Sequence, residues 1–357
     1  MKKKLLVLAV ATALPMGAAQ AGVTIYGKIH ASIDYVDPDS YRVTPDVCVM
    51  PLDGQDECPS VKINPDDVWN VESRASRIGF KGSEDLGNGL KLVWKVESGV
   101  NVAGGGSSGG SYWTARNAYI GLAGGWGTFL YGRHDTPLKM STGKLDLFSD
   151  ELADYNATAG FVDRRVDDAI AYISPSWGGL TLAGAVIPGG DYENGDGDFA
   201  DGYSVAAMWT LNSIYLAAAY EDFTDLRDDF RWPNGKSYKN EIWRLGGGWD
   251  IGNFFIGGVW ENEDYGQKDD LDKWQVSGSY KFGNNKVKAM YSDRDWDSDL
   301  EDLWDNDDAA WAVGWDYSFS KRSKMYAQYA DSDHVLMNDN SLPSGTKGFS
   351  FGMVHSF

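Results

Sequence analysis

A period-two alternation of apolar and polar residues is the feature that most constrains how this chain can fold. Between Ile25 and Tyr35 the odd positions are apolar or glycine, and the even positions from Lys28 onward are polar. Successive side chains of a strand point to opposite faces of its sheet. This segment therefore predicts a strand with one face suited to lipid and the other to water.

The same alternation recurs along the chain in pairs of segments joined by short turns. One opening strand, seven such hairpins and one closing strand predict an all-β fold of sixteen antiparallel strands. After the opening strand, the predicted strands are 77–81, 90–99, 115–122, 128–133, 168–174, 180–187, 203–211, 214–223, 240–249, 254–261, 273–282, 286–293, 309–319, 324–331 and 347–357. Short turns alternating with long loops, an even strand count and strands of roughly ten residues are typical of transmembrane barrels. Lipid cannot satisfy an open strand edge, so we expect the sheet to close.

One connection, residues 135–163, is far too long for an ordinary hairpin, and loops of this length are usually functional or disordered. Leu145, Phe148 and Leu152 fall at i, i+3 and i+7, which predicts one face of a short helix. Four carboxylates occupy the remaining faces and are expected to meet water: Asp146, Asp150, Glu151 and Asp154. We expect this loop to fold into the lumen, pack its apolar stripe on the wall and constrict a pore.

The first residues predict export of the chain. Three lysines at positions 2–4 precede an apolar run, and Ala19-Gln20-Ala21 is an A-x-A cleavage site, so residues 1–21 read as a signal peptide. Residues 22–357 would then form a single barrel domain. No later stretch offers the ~20 consecutive apolar residues that a membrane-spanning helix needs. An exported chain of this kind is periplasmic, secreted or an outer-membrane barrel.

Composition favours the barrel among these three. The chain has 43 Gly, 15 Trp and 19 Tyr, yet its mean hydropathy is −0.38. A barrel wall explains both facts, because only alternate residues meet lipid and aromatic girdles mark the two membrane interfaces. The formal net charge of −20 argues against nucleic acid as a partner, since nucleic acid requires basic grooves.

The two cysteines, Cys48 and Cys58, lie ten residues apart in a segment rich in Pro and Asp. In an oxidising compartment this spacing predicts one disulfide that closes a small loop. The same segment belongs to a long insertion, residues 36–69, after the first strand.

Catalytic and metal-binding motifs find little support. Neither a G-x-S-x-G nor an H-E-x-x-H motif occurs, and the four histidines are scattered. We predict no catalytic residue, no cofactor and no metal site. The acidic stretches 189–201 and 294–307 could hold calcium, but neither has the spacing of an EF-hand loop, and a solvated external loop is the favoured interpretation.

Several short motifs together carry a family resemblance: TIYGK at 24–28, SRIGFKG at 76–82, EDLGNG at 84–89, RNAYIGL at 116–122, GTFLYGR at 127–133, RVDDAIAY at 165–172 and the terminal Phe357. With them the chain resembles the general, non-specific porins of Gram-negative bacteria, in particular the trimeric proteobacterial type. The resemblance covers essentially the whole mature chain and implies a homotrimer in the outer membrane, with the third external loop in the lumen. It also implies that the barrel-assembly machinery reads Phe357. The cysteine-bearing insertion departs from the family pattern, so the resemblance does not predict the shape of the outer mouth of the pore.

The alternation places a set of basic residues on the wet face: Lys28, Arg77, Lys81, Lys95 and Arg116. The resemblance implies a basic cluster on the constriction wall at Lys28, Arg77, Arg116 and Arg165. Arg133 is a further candidate at a strand end, where the alternation fails, and Lys81 and Lys95 are expected to line the lumen. Basic side chains that face the loop acids across a narrow gap would focus an electric field there. Polar solutes can align with such a field, while size sets an upper limit and charge tunes which ions pass.

These observations predict a passive diffusion pore for small hydrophilic solutes and ions. A barrel of the same build that prefers a sugar or an anion is the main alternative, and an outer-membrane barrel enzyme or a soluble periplasmic β-protein are the others. The sequence leaves ion selectivity open, because most of the negative charge lies in predicted external loops and is screened beyond ~8 Å at physiological salt.

Overall fold

The computed structural model describes residues 22–39, 41–43, 61–104, 113–190, 198–224, 240–265, 270–297, 309–333 and 346–357. The strands are β1 Thr24–Pro38, β2 Tyr41–Val43, β3 Val61–Ile63, β4 Val68–Ser73, β5 Arg77–Gly87, β6 Leu90–Val100, β7 Trp113–Gly124, β8 Gly127–Asp135, β9 Arg165–Ile173, β10 Leu180–Ile187, β11 Gly202–Leu211, β12 Ile214–Asp222, β13 Glu241–Ile251, β14 Phe254–Asp264, β15 Asp270–Phe282, β16 Asn285–Asp297, β17 Ala310–Ser318, β18 Ser323–Ser332 and β19 Thr346–Ser356. The two helices are α1 Pro137–Thr142 and α2 Tyr155–Thr158.

The strands form one closed antiparallel barrel of sixteen strands, which confirms the predicted architecture. Each barrel strand pairs with its neighbour in sequence, and β19 pairs with β1 along its length, so the sheet has no free edge. The strands β4 and β5 lie end to end against β1 and together make the second barrel strand. The strands β2 and β3 form a separate two-stranded sheet within the predicted insertion.

The second barrel strand is interrupted at residues 74–76, where side-chain and backbone groups replace the regular ladder. The Ser76 hydroxyl accepts from the His30 amide at 2.8 Å and donates to the His30 carbonyl at 2.9 Å. The Arg74 amide donates to the same carbonyl at 3.0 Å. The insertion predicted at 36–69 is therefore too long on both sides, since β1 runs to Pro38 and β4 begins at Val68. This break separates β4 from the alternating run that starts at Arg77.

The two faces of the barrel wall differ as the alternation predicts. On β1, Ile25, Ile29 and Ile33 are exposed, while Ser32 and Asp34, on either side of Ile33, are buried. The side with the exposed apolar residues is called the apolar face, and the opposite side the polar face. Within the described residues, no helix is long and apolar enough to cross a membrane.

The connection between β8 and β9, residues 136–164, packs against the polar face and is called the 136–164 segment. Its apolar residues meet small or apolar residues of the strands in three clusters. Leu138 packs with Ala206, Ala219 and Ile242; Leu145, Tyr155 and Phe161 pack with Tyr215, Ala217 and Val259; and Phe148, Leu152 and Ala153 pack with Met290, Ala312 and Ala330. Three buried apolar clusters therefore lie between the segment and one part of the wall.

Two glycines of β13 permit this close packing. A methyl group at Gly246 would lie 2.7 Å from a Leu145 methyl carbon, and one at Gly248 would lie 2.8 Å from the other. Distances below 3 Å are steric clashes, so side chains at either position would push the segment away from the wall.

The helix predicted over Leu145–Leu152 is wrong, although its three apolar residues are buried together. Asp150 has a φ of 63°, a left-handed conformation that ends a right-handed helix. The Asp146 side chain accepts from the backbone amides of Phe148 and Tyr155, at 2.9 and 3.3 Å. These local bonds compete with a helical ladder and hold the residues in consecutive turns.

Candidate functional site

Four barrel strands bring a charged group together on the polar face, and we call it the wall group: Lys28 of β1, Arg77 of β5, Lys95 and Glu97 of β6, and Arg116 of β7. Glu97 lies at its centre. Its carboxylate is 2.6 Å from Arg116 Nε, 3.2 Å from Lys95 Nζ and 4.0 Å from Arg77 Nε. Tyr26 also donates its hydroxyl hydrogen bond to Glu97, at 2.7 Å. A buried carboxylate thus holds three of the cations together on the wall.

The wall group meets the 136–164 segment at Asp150. Lys28 Nζ lies 2.5 Å from Asp150 Oδ2, and Arg77 Nη1 lies 3.9 Å from the same oxygen. Burial by itself raises the pKa of Asp150, but attraction to Lys28, the hydrogen bond from Lys28 and the charge of Arg77 hold it below its usual range. Of the four acids predicted on this segment, Asp150 is the one that contacts the predicted basic wall. It touches Lys28 directly, with no gap at that point.

Arg165, at the start of β9, continues the basic face beside the base of the segment. Its guanidinium lies 2.8 Å from Asp135 Oδ1 and donates to Asn117 at 2.7 Å. Asn117 in turn donates to Asp135 at 2.9 Å, and the Thr136 amide donates to the Arg164 carbonyl at 3.1 Å. These bonds fix the two ends of the 136–164 segment next to each other.

The structure places the other predicted basic residues away from Asp150. Arg133 pairs with the exposed Asp167 at 2.6 Å. Lys81 lies over the Tyr26 ring, 5.1 Å from its centroid, and Lys95 lies 5.7 Å from the same centroid. Lys95 belongs to the wall group through its ion pair with Glu97, a role that the alternation alone did not indicate.

Asp146 and Asp154 point at the backbone of their own segment. Asp154 caps α2 by accepting from the Asn156 amide at 2.9 Å, and it accepts from the Asp150 amide at 2.6 Å. Burial raises the pKa of Asp154 to about 6, and it raises that of Asp146 well above its usual range. The expectation that Asp146 meets water is wrong, because its side chain is buried.

Glu151 is buried as well, so the expectation that it meets water is also wrong. It binds a second basic group that the sequence did not single out. Its carboxylate lies 2.5 Å from Lys288 Nζ and 2.7 Å from Lys324 Nζ. Asp316 lies 3.1 Å from Lys288 and 3.3 Å from Lys324. We call Asp150 and Glu151 the tip of the segment, and Glu151 with Lys288, Asp316 and Lys324 the tip anchor. The tip anchor fastens the segment to β16, β17 and β18.

A third group, equally missed, fastens the return half of the segment. Arg244 of β13 is fully buried and lies 2.9 Å from Asp163, while it donates to Glu261 at 2.6 Å and to Thr142 at 3.1 Å. Lys273 donates to the Gly160 carbonyl at 2.6 Å. The tip anchor and this third group could have been found from the sequence by one signal, a basic residue at a polar-face position within a predicted strand. Four residues have it: Arg244, Lys273, Lys288 and Lys324.

Among the described residues, the segment contacts one part of the barrel wall, strands β11 to β18, and leaves another part free of these contacts. Its tip reaches further, to Lys28 and Arg77. The cations on β6, β7 and β9 stand on the part of the wall that lies opposite these anchors in the strand order.

Some predictions fall on residues outside this description. The signal peptide, Cys48 and Cys58 lie outside the described residues, as do 191–197 and 298–307 of the two acidic stretches. Among the described residues, no three His, Cys, Asp or Glu side chains are grouped so that they could hold a metal ion.

A closed sixteen-stranded barrel with an apolar outer row and a charged polar face belongs to the class of outer-membrane channels. The chain belongs to the Gram-negative porin family, whose model matches residues 5–335. The major outer membrane protein P.IB of Neisseria gonorrhoeae is 27% identical over 351 residues, covering 90% of this chain and 91% of the relative. The protein is accordingly a porin channel of the outer membrane.

Solved structures agree with this fold. The anion-selective porin from Comamonas acidovorans has a TM-score of 0.70 at 19% identity and covers 95% of this chain and 100% of its own. The trimer form of OmpT, an outer membrane protein of Vibrio cholerae, has a TM-score of 0.63 at 16% identity, with 94% and 99% covered. At these identities the likeness supports the fold alone.

Proposed function

We propose that the polar face lines a water-filled lumen and that the 136–164 segment narrows it to a constriction. The basic side of this constriction comprises Lys28, Arg77, Lys95, Arg116 and Arg165, and Asp150 supplies the acid on the segment. One observation carries the proposal. The Lys28 ammonium lies 2.5 Å from Asp150. This contact joins the segment to β1, beyond the strands β11 to β18 that carry its other anchors.

The arrangement would let small hydrophilic solutes and ions diffuse between the segment and the basic side of the wall, which the segment does not cover. Charges fixed on low-dielectric walls focus field lines into the opening. Water and dipolar solutes can align with that field, whereas an apolar solute must displace ordered water and gains little in return. The width left by the segment would set the size limit.

The anchors would make this constriction a fixed one. The segment buries three apolar clusters and pairs Glu151, Asp163 and Asp150 with wall cations. Each apolar side chain that is fully buried contributes roughly 1.5–3 kcal/mol. A segment held at so many points resists displacement by a passing solute.

A channel with a preference for one class of solute is the second candidate. It is favoured by the excess of basic side chains at the proposed constriction, and the fold neighbour from Comamonas acidovorans is described as anion-selective.

We further propose that three copies assemble in the outer membrane, that residues 1–21 are removed and that the assembly machinery recognises Phe357. Support for a trimer comes from the trimer form of the Vibrio cholerae neighbour. The family and the named relatives point to a channel and not to an enzyme.

The test is conductance of the purified protein in a planar bilayer, combined with chemical labelling at the proposed constriction. We expect stepwise insertion of large ohmic channels that close in thirds. A bulky thiol reagent should block most of the current in Asp150→Cys, because the labelled side chain would fill the opening. The same reagent should leave Glu84→Cys unaffected, since Glu84 is exposed near the β5–β6 turn.

Labelled wild-type protein controls for the two native cysteines. Folded protein without conductance would refute the channel, and equal block of both variants would refute the constriction at Asp150. Conductance that one solute blocks at low concentration would favour the second candidate.

A further inference from the structure

The acids that would balance the basic wall are engaged elsewhere. Asp146 and Asp154 accept hydrogen bonds from backbone amides of their own segment. Glu151 lies between Lys288 and Lys324. Asp150 is therefore the remaining predicted acid that meets the proposed basic side, and it is in contact with Lys28.

The basic side carries its own carboxylates, but fewer of them than cations. Glu97 of β6 and Asp135 of β8 are the two strand carboxylates that pair with cations of this side. The five cations are Lys28, Arg77, Lys95, Arg116 and Arg165. With Asp150 included, the proposed constriction retains an excess of positive charge, although the whole chain carries −20.

Glu97 also lies deeper than the cations that it binds. Its side chain is 5% exposed, whereas Arg77 is 26% exposed and Lys95 and Arg116 are each 21% exposed. A solute in the opening would therefore meet guanidinium and ammonium groups first. The Glu97 carboxylate behind these cations weakens their electric field but does not contact the solute.

We infer that the constriction favours small anions over cations, and that Glu97 is the residue that limits the strength of this preference. The inference rests on the proposed constriction and names the class of ion that it passes best. Glu97 acts as a specificity-determining residue, because it sets how much positive charge of Arg77, Lys95 and Arg116 stays uncompensated.

Coulomb's law gives the size of the effect. One unit charge placed about 4 to 8 Å from a passing ion in water changes the energy of that ion by roughly 0.5–1 kcal/mol, which is a two- to fivefold change in partition. External carboxylates farther than a Debye length of about 8 Å are screened at physiological salt. The local charge excess therefore outweighs the net charge of the chain.

The experiment is the reversal potential of single channels across a gradient of potassium chloride, with wild-type protein, Glu97→Gln and Glu84→Gln. Wild type should show the sign of an anion-selective channel. Glu97→Gln should raise the chloride-to-potassium permeability ratio roughly two- to fivefold. The matched variant Glu84→Gln removes the same charge from an exposed site and should leave the ratio unchanged.

Two further variants protect the test against misfolding of Glu97→Gln. Lys95→Met removes one cation from the same group and should lower the ratio, while Glu97→Asp keeps the charge and should preserve the ratio of wild type. Heat-modifiable electrophoretic migration verifies that each variant is folded.

The results separate the inference from the proposed function. Conducting channels that prefer potassium, or a ratio that Glu97→Gln and Lys95→Met both leave unchanged, would overturn the inference while the diffusion channel stands. Folded protein that does not conduct would overturn the proposed function itself.

Discussion

Asp150 and Asp154 lie four residues apart in the 136–164 segment but occupy opposite electrostatic environments. Asp150 faces Lys28 and Arg77, while Asp154 faces backbone amides. A carboxylate beside cations keeps its charge at lower pH, whereas a buried carboxyl without a cation resists ionisation. The two residues should therefore affect stability in opposite directions as the pH changes.

The first residue-scale prediction concerns Asp154→Asn. Burial raises the pKa of Asp154 to about 6, above the ~3.9 of an unfolded chain. Its contribution to stability is therefore fully present below pH ~4 and is lost as the pH rises through about 6. The neutral amide avoids this loss, so the variant should be more stable than wild type at pH 7.5, by on the order of 2 kcal/mol, and equally stable at pH 4.

The measurement is the temperature at which the folded electrophoretic band disappears in detergent, across pH 4 to 8. Asp150→Asn is the matched control. The lowered pKa of Asp150 means that its contribution is present above the unfolded pKa and lost as the pH falls below it. This variant should be less stable than wild type at pH 7.5, and the same sign of change in both variants would contradict the assignment.

Single residues were predictable from the sequence as far as the face of the strand on which they lie. The alternation and the motifs placed Lys28, Arg77 and Arg116 on the polar face, where the structure has them. The partners could not be predicted in this way. Glu97 has the same alternation as Lys95, but its central position depends on the register of β5, β6 and β7 and on the contact with Tyr26 of β1.

At the scale of the element, the apolar residues of the 136–164 segment correctly predicted that it packs on the wall, whereas their helical spacing wrongly predicted a helix. Leu145, Phe148 and Leu152 are buried, but turns position them, because Asp146 and Asp154 bind the backbone locally. Side chains of Asp commonly compete with helical hydrogen bonds in this manner. The anchoring residues on β13, β15, β16 and β18 lie 81 to 173 residues from their partners in the segment, so local pattern could not pair them with it.

The prediction at this scale concerns the tip anchor. Glu151→Gln would leave Asp316 as the carboxylate that pairs with Lys288 and Lys324, although Lys288 would still donate to the Leu147 carbonyl at 3.0 Å. Removing one partner of a buried ion pair costs roughly 3–5 kcal/mol. We expect the tip to detach from β16–β18, which should raise the noise of the open-channel current. Limited proteolysis should then cleave the variant within residues 143–153.

Glu84→Gln serves again as the control, because it removes an exposed carboxylate of the same type. Its current noise and cleavage pattern should match those of wild type. A quiet, protease-resistant Glu151→Gln channel would mean that the apolar cluster around Phe148 holds the tip without the ion pairs.

At the scale of the whole molecule, the barrel was predictable because its signal is repeated. Any one alternating segment is ambiguous, but sixteen segments joined by turns leave a closed antiparallel sheet as the arrangement that pairs every edge. The interruption at residues 74–76 was missed, because β4 is defined by its pairing with β1 and not by a long alternation of its own. Closure itself depends on residues at the two ends of the sheet.

The last prediction concerns that closure. The amides and carbonyls of Gly27 and Phe357 exchange hydrogen bonds of 3.1 Å in both directions. A methyl group at Gly27 would collide with the Phe357 ring and lie 2.7 Å from the Arg77 carbonyl oxygen. We therefore expect Gly27→Ala to displace the terminal aromatic ring and destabilise the closed barrel by roughly 1–3 kcal/mol, the usual cost of overpacking.

Gly184→Ala is the matched control, because its added methyl group would meet only a Val205 methyl carbon at 3.9 Å, an ordinary contact. Both glycines lie within strands, so both substitutions reduce backbone freedom equally. The difference in stability between the two variants therefore measures the effect on the seam, which is the contact between β1 and β19. Refolding yield and the melting temperature of the heat-modifiable band should fall in Gly27→Ala and stay near wild type in Gly184→Ala. Equal behaviour of the two variants would show that the barrel closes without a seated Phe357, and that the hydrogen bonds between β1 and β19 suffice to hold the seam.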